Sequence, residues 1–95
     1  MKLVWSRQAK TELVELRRTS VETWGRAVGL RYLEDVRDAA TRAASQPASC
    51  RKLRGAFRIL RVRSHYLIFH VDDAADCVTV AKVLHSAVDI ERHLP

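Results

Sequence analysis

Two apolar stripes at helical spacing, broken only at Trp24-Gly25, are followed by three β-rich runs with no helical period, and that order leaves few folds open to the chain. In residues 7 to about 23, Ala9, Leu13, Leu16 and Ser20 recur at steps of four, three and four, which draws one stripe along an otherwise charged helix. From residue 26 to 45 the pattern repeats in Gly29, Leu33, Val36, Ala40 and Ala43, and Pro47 stops it. Gly25 stands where a left-handed C-terminal cap is needed, so a sharp turn is expected there, with the Trp24 indole tucked into the corner. Two helices joined so tightly form an antiparallel hairpin. Small residues at Gly29, Ala40 and Ala43 let that hairpin lie close against whatever it covers.

The cover is a sheet. Lys2–Trp5 is a short β-branched and aromatic run ending at Ser6, a good N-cap residue for the first helix. Residues 56–63, 66–71 and 77–84 are β-rich runs separated by Ser64-His65 and by residues 72–76, which reads as a three-stranded antiparallel meander. The last run is apolar at nearly every position except Thr79 and Lys82, so it is expected to be central and buried on both faces, with the 2–5 strand on its free side. Ser86-Ala87-Val88-Asp89 has the form of a capping box and opens a last short helix containing Ile90, Arg92, His93 and Leu94. The order is β-α-α-β-β-β-α, an α+β domain with a helical hairpin packed on an antiparallel sheet. At 95 residues the chain makes one domain, spanning 1–95, and buries roughly 60 to 65% of its unfolded surface.

Charge is distributed unevenly. Of 17 Lys and Arg residues, six lie at Arg51, Lys52, Arg54, Arg58, Arg61 and Arg63 with no acid among them, while the other 11 are balanced by 11 Asp and Glu. The net +6 therefore sits on one β ribbon, where it makes a local positive potential suited to phosphates or an acidic partner. In residues 57–63 the alternation is imperfect, with Phe57 and Ile59 sharing a face with Arg61 and Arg63, and Arg58 sharing the other with Leu60 and Val62. Either the strand leaves the core midway, exposing Arg61 and Arg63 on an open sheet, or a bulge re-aims it. The plainer reading is a solvated edge whose cations discourage strand addition.

Other chemistry is sparse. His65, His70, His85 and His93 lack HxxxH spacing and Cys neighbours, so no metal site or cofactor is expected. His85 ends a strand at the sheet rim, and Asp89, four residues on, is placed to hold one ring nitrogen. Cys50 and Cys77 have no CxxC spacing and read as free thiols. Arg7 and Lys10 come too early for a signal-peptide apolar region, and no run is long and apolar enough to cross a membrane, so a cytoplasmic protein is expected.

The order of Trp5-Ser6-x-x-Ala9, Trp24-Gly25, Pro47, Leu53-Arg54-Gly55-x-Phe57-Arg58, Tyr66-x-Ile68-Phe69 and Val83-Leu84-His85-x-x-x-Asp89-Ile90 resembles the RelE/ParE toxin superfamily over essentially the whole chain. The Val-Leu-His-x-x-x-Asp ending is characteristic of its ParE branch. The resemblance implies a small bacterial toxin of a type II toxin-antitoxin system, paired in a hetero-oligomer with a ParD-like antitoxin that wraps it. ParE-like members act on DNA gyrase by binding, and RelE-like members are ribosome-dependent mRNA endonucleases. Neither implies sequence-specific DNA binding by the toxin itself.

The two branches make different demands on the residues. Cleaving RNA requires a base and an acid within hydrogen-bond reach of the phosphate. On the RelE-like alternative Arg58, Arg61 and Lys82 would supply charge and His85 the proton transfers, but no carboxylate occurs between Asp38 and Asp72 and no Tyr follows His85. Lys82 also stands where an Arg often precedes Val-Leu-His, and Arg63-Ser64 where a Gly often turns the hairpin. The binding role is therefore the expectation, with Arg54, Arg58, Arg61, Arg63, Arg92 and His93 meeting the target and no catalytic residue. The antitoxin is expected in the groove between helical hairpin and sheet, against Leu13, Leu16, Leu33 and Val36. Those four also fit an ordinary core stripe.

Overall fold

The computed structural model describes residues 1–87 and 90–93. Strand β1 (Lys2–Trp5) leads through Ser6 into helix α1 (Arg7–Trp24), and Gly25 separates α1 from helix α2 (Arg26–Ser45). A 3-10 turn at Pro47–Ser49 delivers the chain to strands β2 (Arg51–Arg54), β3 (Phe57–Val62), β4 (His65–Asp72) and β5 (Cys77–His85), and a second 3-10 turn covers Ile90–His93. The five strands lie in the order β1-β5-β4-β3-β2. All neighbours are antiparallel except β1 and β5, which are parallel, so the sheet is mixed. The three-stranded meander is there, with β1 on the free side of β5 and an additional edge strand, β2, formed by the first cations of the ribbon.

Each boundary has a local cause. The Ser6 hydroxyl accepts from the Ala9 N–H at 3.0 Å, capping α1, and donates to the Ala81 carbonyl of β5 at 2.8 Å. Gly25 takes φ +87°, a backbone region that strains residues with a side chain, and its N–H closes α1 on the Val21 carbonyl at 2.9 Å. The expected stripe of α1 is the buried one: Ala9, Leu13, Leu16 and Ser20. On α2 the buried set is Gly29, Tyr32, Val36, Ala39, Ala40, Ala43 and Ala44, so Tyr32 takes the place expected for Leu33. A Cβ on Gly29 would lie 2.6 Å from the Val21 nitrogen and 2.7 Å from its Cα, so glycine there is what lets the two helices approach.

The main core lies between the hairpin and one face of the sheet, where Leu67, Phe69, Val78 and Val80 meet Ala9, Val36 and Ala40 at 0 or 1% exposure. A smaller cluster of Ile59, Ile68 and Leu84, with Leu53, Phe57, Tyr66 and Ile90 around it, sits on the other face. Burial on both faces is found in β4, through the consecutive Leu67, Ile68 and Phe69, and at the end of β5, where Val83 joins the main core and Leu84 the outer cluster. Strand β5 is central, between β1 and β4, but its first half is covered on the helix side alone, where Val78 and Val80 are buried while Cys77 and Thr79 are partly exposed. Its register also shifts: Phe69 opposes Val80 but Ile68 opposes Lys82, leaving Ala81 as the extra residue of a bulge. That slip returns Val83 to the helix side and turns Lys82 to the other face. The capping box at Ser86 includes Val88 and Asp89, which lie outside the described residues.

Candidate functional site

Directly opposed residues of neighbouring strands project to the same side, so the register sorts the cationic ribbon into two faces. Arg61 opposes Tyr66 of the outer cluster, whereas Arg58 opposes Phe69 of the main core. Arg51 opposes Ile59 and Arg54 opposes Phe57, which puts both with Arg61 on the outer face, and Lys82 joins them through its pairing with Ile68. Lys52, opposite Arg58, belongs to the helix side.

Two arginines on the helix side, Arg58 and Arg63, are engaged. Arg58 donates to the Cys50 carbonyl at 2.9 Å, holding the end of the Pro47–Ser49 turn against the sheet. Burial raises the Cys50 thiol above its ordinary range. Arg63 is a turn residue rather than a strand residue and takes φ +53°. Its guanidinium lies 2.8 Å from Asp35 on α2 and 5.6 Å above the Tyr32 ring, and these contacts hold a backbone conformation for which glycine is the easy choice. Among the outer-face cations, Arg61 donates through Nε to the Arg63 carbonyl at 2.8 Å, rests 5.8 Å above the Tyr66 ring, and stays exposed. Arg54 and Arg92 are exposed as well, and the side chain of His93 lies outside the described residues.

A second constellation escaped the sequence reading. Tyr32 Oη stands 2.8 Å from His65 Nδ1 and 3.3 Å from the Val62 carbonyl, and accepts the Ser64 N–H at 3.1 Å. Trp24 stacks obliquely on Tyr32 at 5.4 Å, half-exposed at 47% rather than tucked away. His65 meets His85 edge to face at 5.2 Å. Burial, and then the neighbouring His85, push His65 down to about 4, so it is neutral at pH 7. His85 is exposed, and its Nδ1 accepts the Ala87 N–H at 3.1 Å. That bond leaves the hydrogen of a neutral ring to Nε2; Asp89, expected to hold one ring nitrogen, lies outside the described residues. His85 at the rim and Trp24 at the corner are singled out by the sequence, but not their meeting with Tyr32 and His65.

The other expected sets fare differently. Of the residues a nuclease would use, Arg58 and His85 lie on the helix side of the sheet and Arg61 and Lys82 on the other, so the fold does not bring the four together. Leu13, Leu16 and Val36 are core at 8, 5 and 0% exposure, and Leu33 is partly buried beside them, so no helix-to-sheet groove is lined by all four. Leu13 and Leu33 instead reach a cleft of about 470 Å³ between α1 and α2, lined only by helix residues, with Val14 and Leu30 beside them and Lys10, Arg17 and Arg37 at its margin. Among the described residues no three potential metal ligands come together.

This α+β fold, a helical hairpin on a mixed sheet, matches those of RelE- and ParE-type toxins. A protein of the chromosomal ParDE system from P. aeruginosa superposes with a TM-score of 0.74 at 18% identity, covering 90% of this chain and 95% of its own. The E. coli RelE toxin gives 0.68 at 19% identity over 98% of both chains. The YoeB/ParE toxin from Agrobacterium tumefaciens gives 0.66 at 19% identity over 90% of this chain and 98% of its own. These likenesses concern the fold. In sequence, Toxin ParE1 of Mycobacterium tuberculosis, from both the CDC 1551 and H37Rv strains, is 30% identical over 89 residues, 90% of either chain. The family model of the ParE toxin of type II toxin-antitoxin systems, parDE, matches residues 3–90, and the chain belongs to that family.

Proposed function

We propose that this ParE-family toxin acts by binding DNA gyrase, with the outer face of the sheet as its contact surface, and that a ParD-like antitoxin neutralises it. The observation that carries the reading is the division of charge by the sheet. Arg51, Arg54, Arg61 and Lys82 stand on one face around an apolar strip, while His85, the residue a phosphodiester-cleaving site would need for proton transfer, lies on the other. A base and an acid act only within hydrogen-bond reach of the reacting phosphate, and the sheet separates His85 from the exposed cations that would stabilise it. An apolar strip ringed by cations suits a macromolecular surface carrying acidic groups or phosphates.

The antitoxin is read as an acidic, amphipathic segment seated in the cleft between α1 and α2. Val14, 69% exposed, and Leu13, Leu30 and Leu33 offer the apolar floor there, and Lys10, Arg17 and Arg37, against the single carboxylate of Glu34, the complementary charge. Inducing the toxin in bacteria separates binding from cleavage. Gyrase inhibition alters plasmid supercoiling and raises the SOS response, with ribosome-bound mRNA left intact. Cleaved mRNA with normal supercoiling would refute the proposal.

A further inference from the structure

The two edges of the sheet are protected unequally. Strand β2 closes one edge with Arg51, Lys52 and Arg54, the charged ending that discourages strand addition. At the other edge β1 shields β5 only from Cys77 to Val80, and five further residues of β5 have no strand beside them. Side chains of the first helical segment take the next two positions: the Ser6 hydroxyl donates to the Ala81 carbonyl, and Glu12 Oε1 accepts the Val83 N–H at 2.9 Å.

Beyond Glu12 no further partner takes this edge among the described residues. The Ser86 N–H bonds to the Ser64 carbonyl at 2.8 Å, so Ser86 and Ser64 are a hydrogen-bonded pair, and alternation makes His85 opposite His65 and Val83 opposite Leu67 the non-bonded pairs. The backbone groups of Val83 and His85 therefore point away from β4. Val83 gives its N–H to Glu12, which leaves the Val83 carbonyl and the His85 N–H facing outward, one acceptor and one donor at the spacing an extended chain matches. They open onto a cleft of about 510 Å³ that follows α1 from Thr11 to Trp24, roughly 20 Å at 1.5 Å per residue. Thr19 and Thr23 form its helical wall, Leu16 its floor, and Trp24 and His65 its far end. Its charged lining is Glu12 and Glu15, the latter also bridged to Arg18, with no Lys or Arg, in a chain of net charge +6.

We infer that the Val83–His85 edge and the α1 cleft form a second protein-binding site, which takes an extended, non-acidic segment of a partner protein as an added β-strand. Its backbone pairs with the Val83 carbonyl and the His85 N–H, and alternate side chains enter the cleft over Leu16 and against Trp24. This site differs in location and in charge from both the cationic outer face and the cleft between the helices, and it does not depend on the gyrase reading.

Amide hydrogen exchange and NMR titration of the intact protein test it, with a short blocked peptide of alternating Thr and Val and a central Lys as the probe. In the free protein the His85 amide should exchange freely while that of Leu84, paired to β4, is protected. Adding the peptide should protect His85 and confine shift changes to Val83, Leu84, His85, Thr19 and Trp24. N-methylating the peptide nitrogens that face β5 should weaken binding about tenfold, as expected for lost backbone hydrogen bonds. Thr19→Arg, at an exposed helical position, should block the peptide without unfolding the protein. Protection of His85 without peptide that grows with protein concentration would give the edge to a second copy of this chain and overturn the partner claim. So would shifts on the outer sheet face, or binding indifferent to N-methylation.

Discussion

On the helix side of β3 and β4, Arg58 ends on a carbonyl and Arg63 on a carboxylate and an aromatic ring; on the outer side, Arg61 uses one nitrogen on a neighbouring carbonyl and leaves the rest of its guanidinium in water. These residues are alike in chemistry and within five positions of one another. What separates them is strand alternation and one turn. Arg58 and Arg63, on the hairpin side, hold the architecture, whereas Arg61, facing outward, keeps most of its guanidinium exposed. A basic stretch is thus two functional populations, and only register tells them apart.

Substitutions that strike the helix-side group should cost stability. Tyr32→Ala removes a buried ring and the hydroxyl shared by Ser64 and His65, and should lower the unfolding free energy by about 3 to 5 kcal/mol in urea denaturation. Tyr32→Phe, which keeps the ring, isolates the hydroxyl and should lose about 1 to 3 kcal/mol. Gly29→Ala drives a methyl into the Val21 backbone and should lose about 1 to 3 kcal/mol by pushing the helices apart.

Acid should act on the same group. The folded state holds His65 at about 4, below the 6.5 of an unperturbed histidine, so the unfolded chain binds a proton that the folded chain resists. Stability is whole above pH 6.5 and falls as pH drops from 6.5 toward 4. His65 is partly exposed, so the loss should be roughly 1 to 2 kcal/mol after allowing for solvent screening. His65→Gln should flatten that slope between pH 7 and 5, and an unchanged slope would remove His65 from the account.

The outer face should show the opposite response. Arg61→Ala should change stability by no more than about 0.5 kcal/mol, because an exposed cation over a ring adds little. Its effect belongs in target binding, which should weaken as salt is raised. Arg58→Ala should do the reverse, destabilising by about 1 to 2 kcal/mol while leaving the affinity of the folded protein nearly unchanged.

Much of this layout was legible before any coordinates. The α1 stripe, the Ser6 cap, the turn at Gly25 and the stop at Pro47 are written in local residue chemistry, and local chemistry governs helix ends. Family likeness was legible too, because the order of short motifs survives where each motif alone says little. The sheet was read less well. A run as apolar as residues 77–84 is indeed central, but only its end, Val83 and Leu84, is buried on both faces, and β4, with longer neighbours, is buried so through Leu67, Ile68 and Phe69. The bulge at Ala81 decides that Lys82 faces outward, and nothing in the run announces it. Tyr32, His65 and His85 come together across sequence separations of 33 and 20 residues, through pairings that a periodicity cannot encode.

Inhibition of DNA supercoiling by purified gyrase, measured with the wild-type toxin, an Arg54→Glu/Arg61→Glu double variant and His85→Ala, tests the central claim most directly. If the outer face binds the target, the charge reversals abolish inhibition and His85→Ala inhibits as the wild type does. If His85→Ala is the variant that loses toxicity, together with cleavage of ribosome-bound mRNA, while the double variant still kills, the protein cuts RNA from the helix-side rim and the account is wrong.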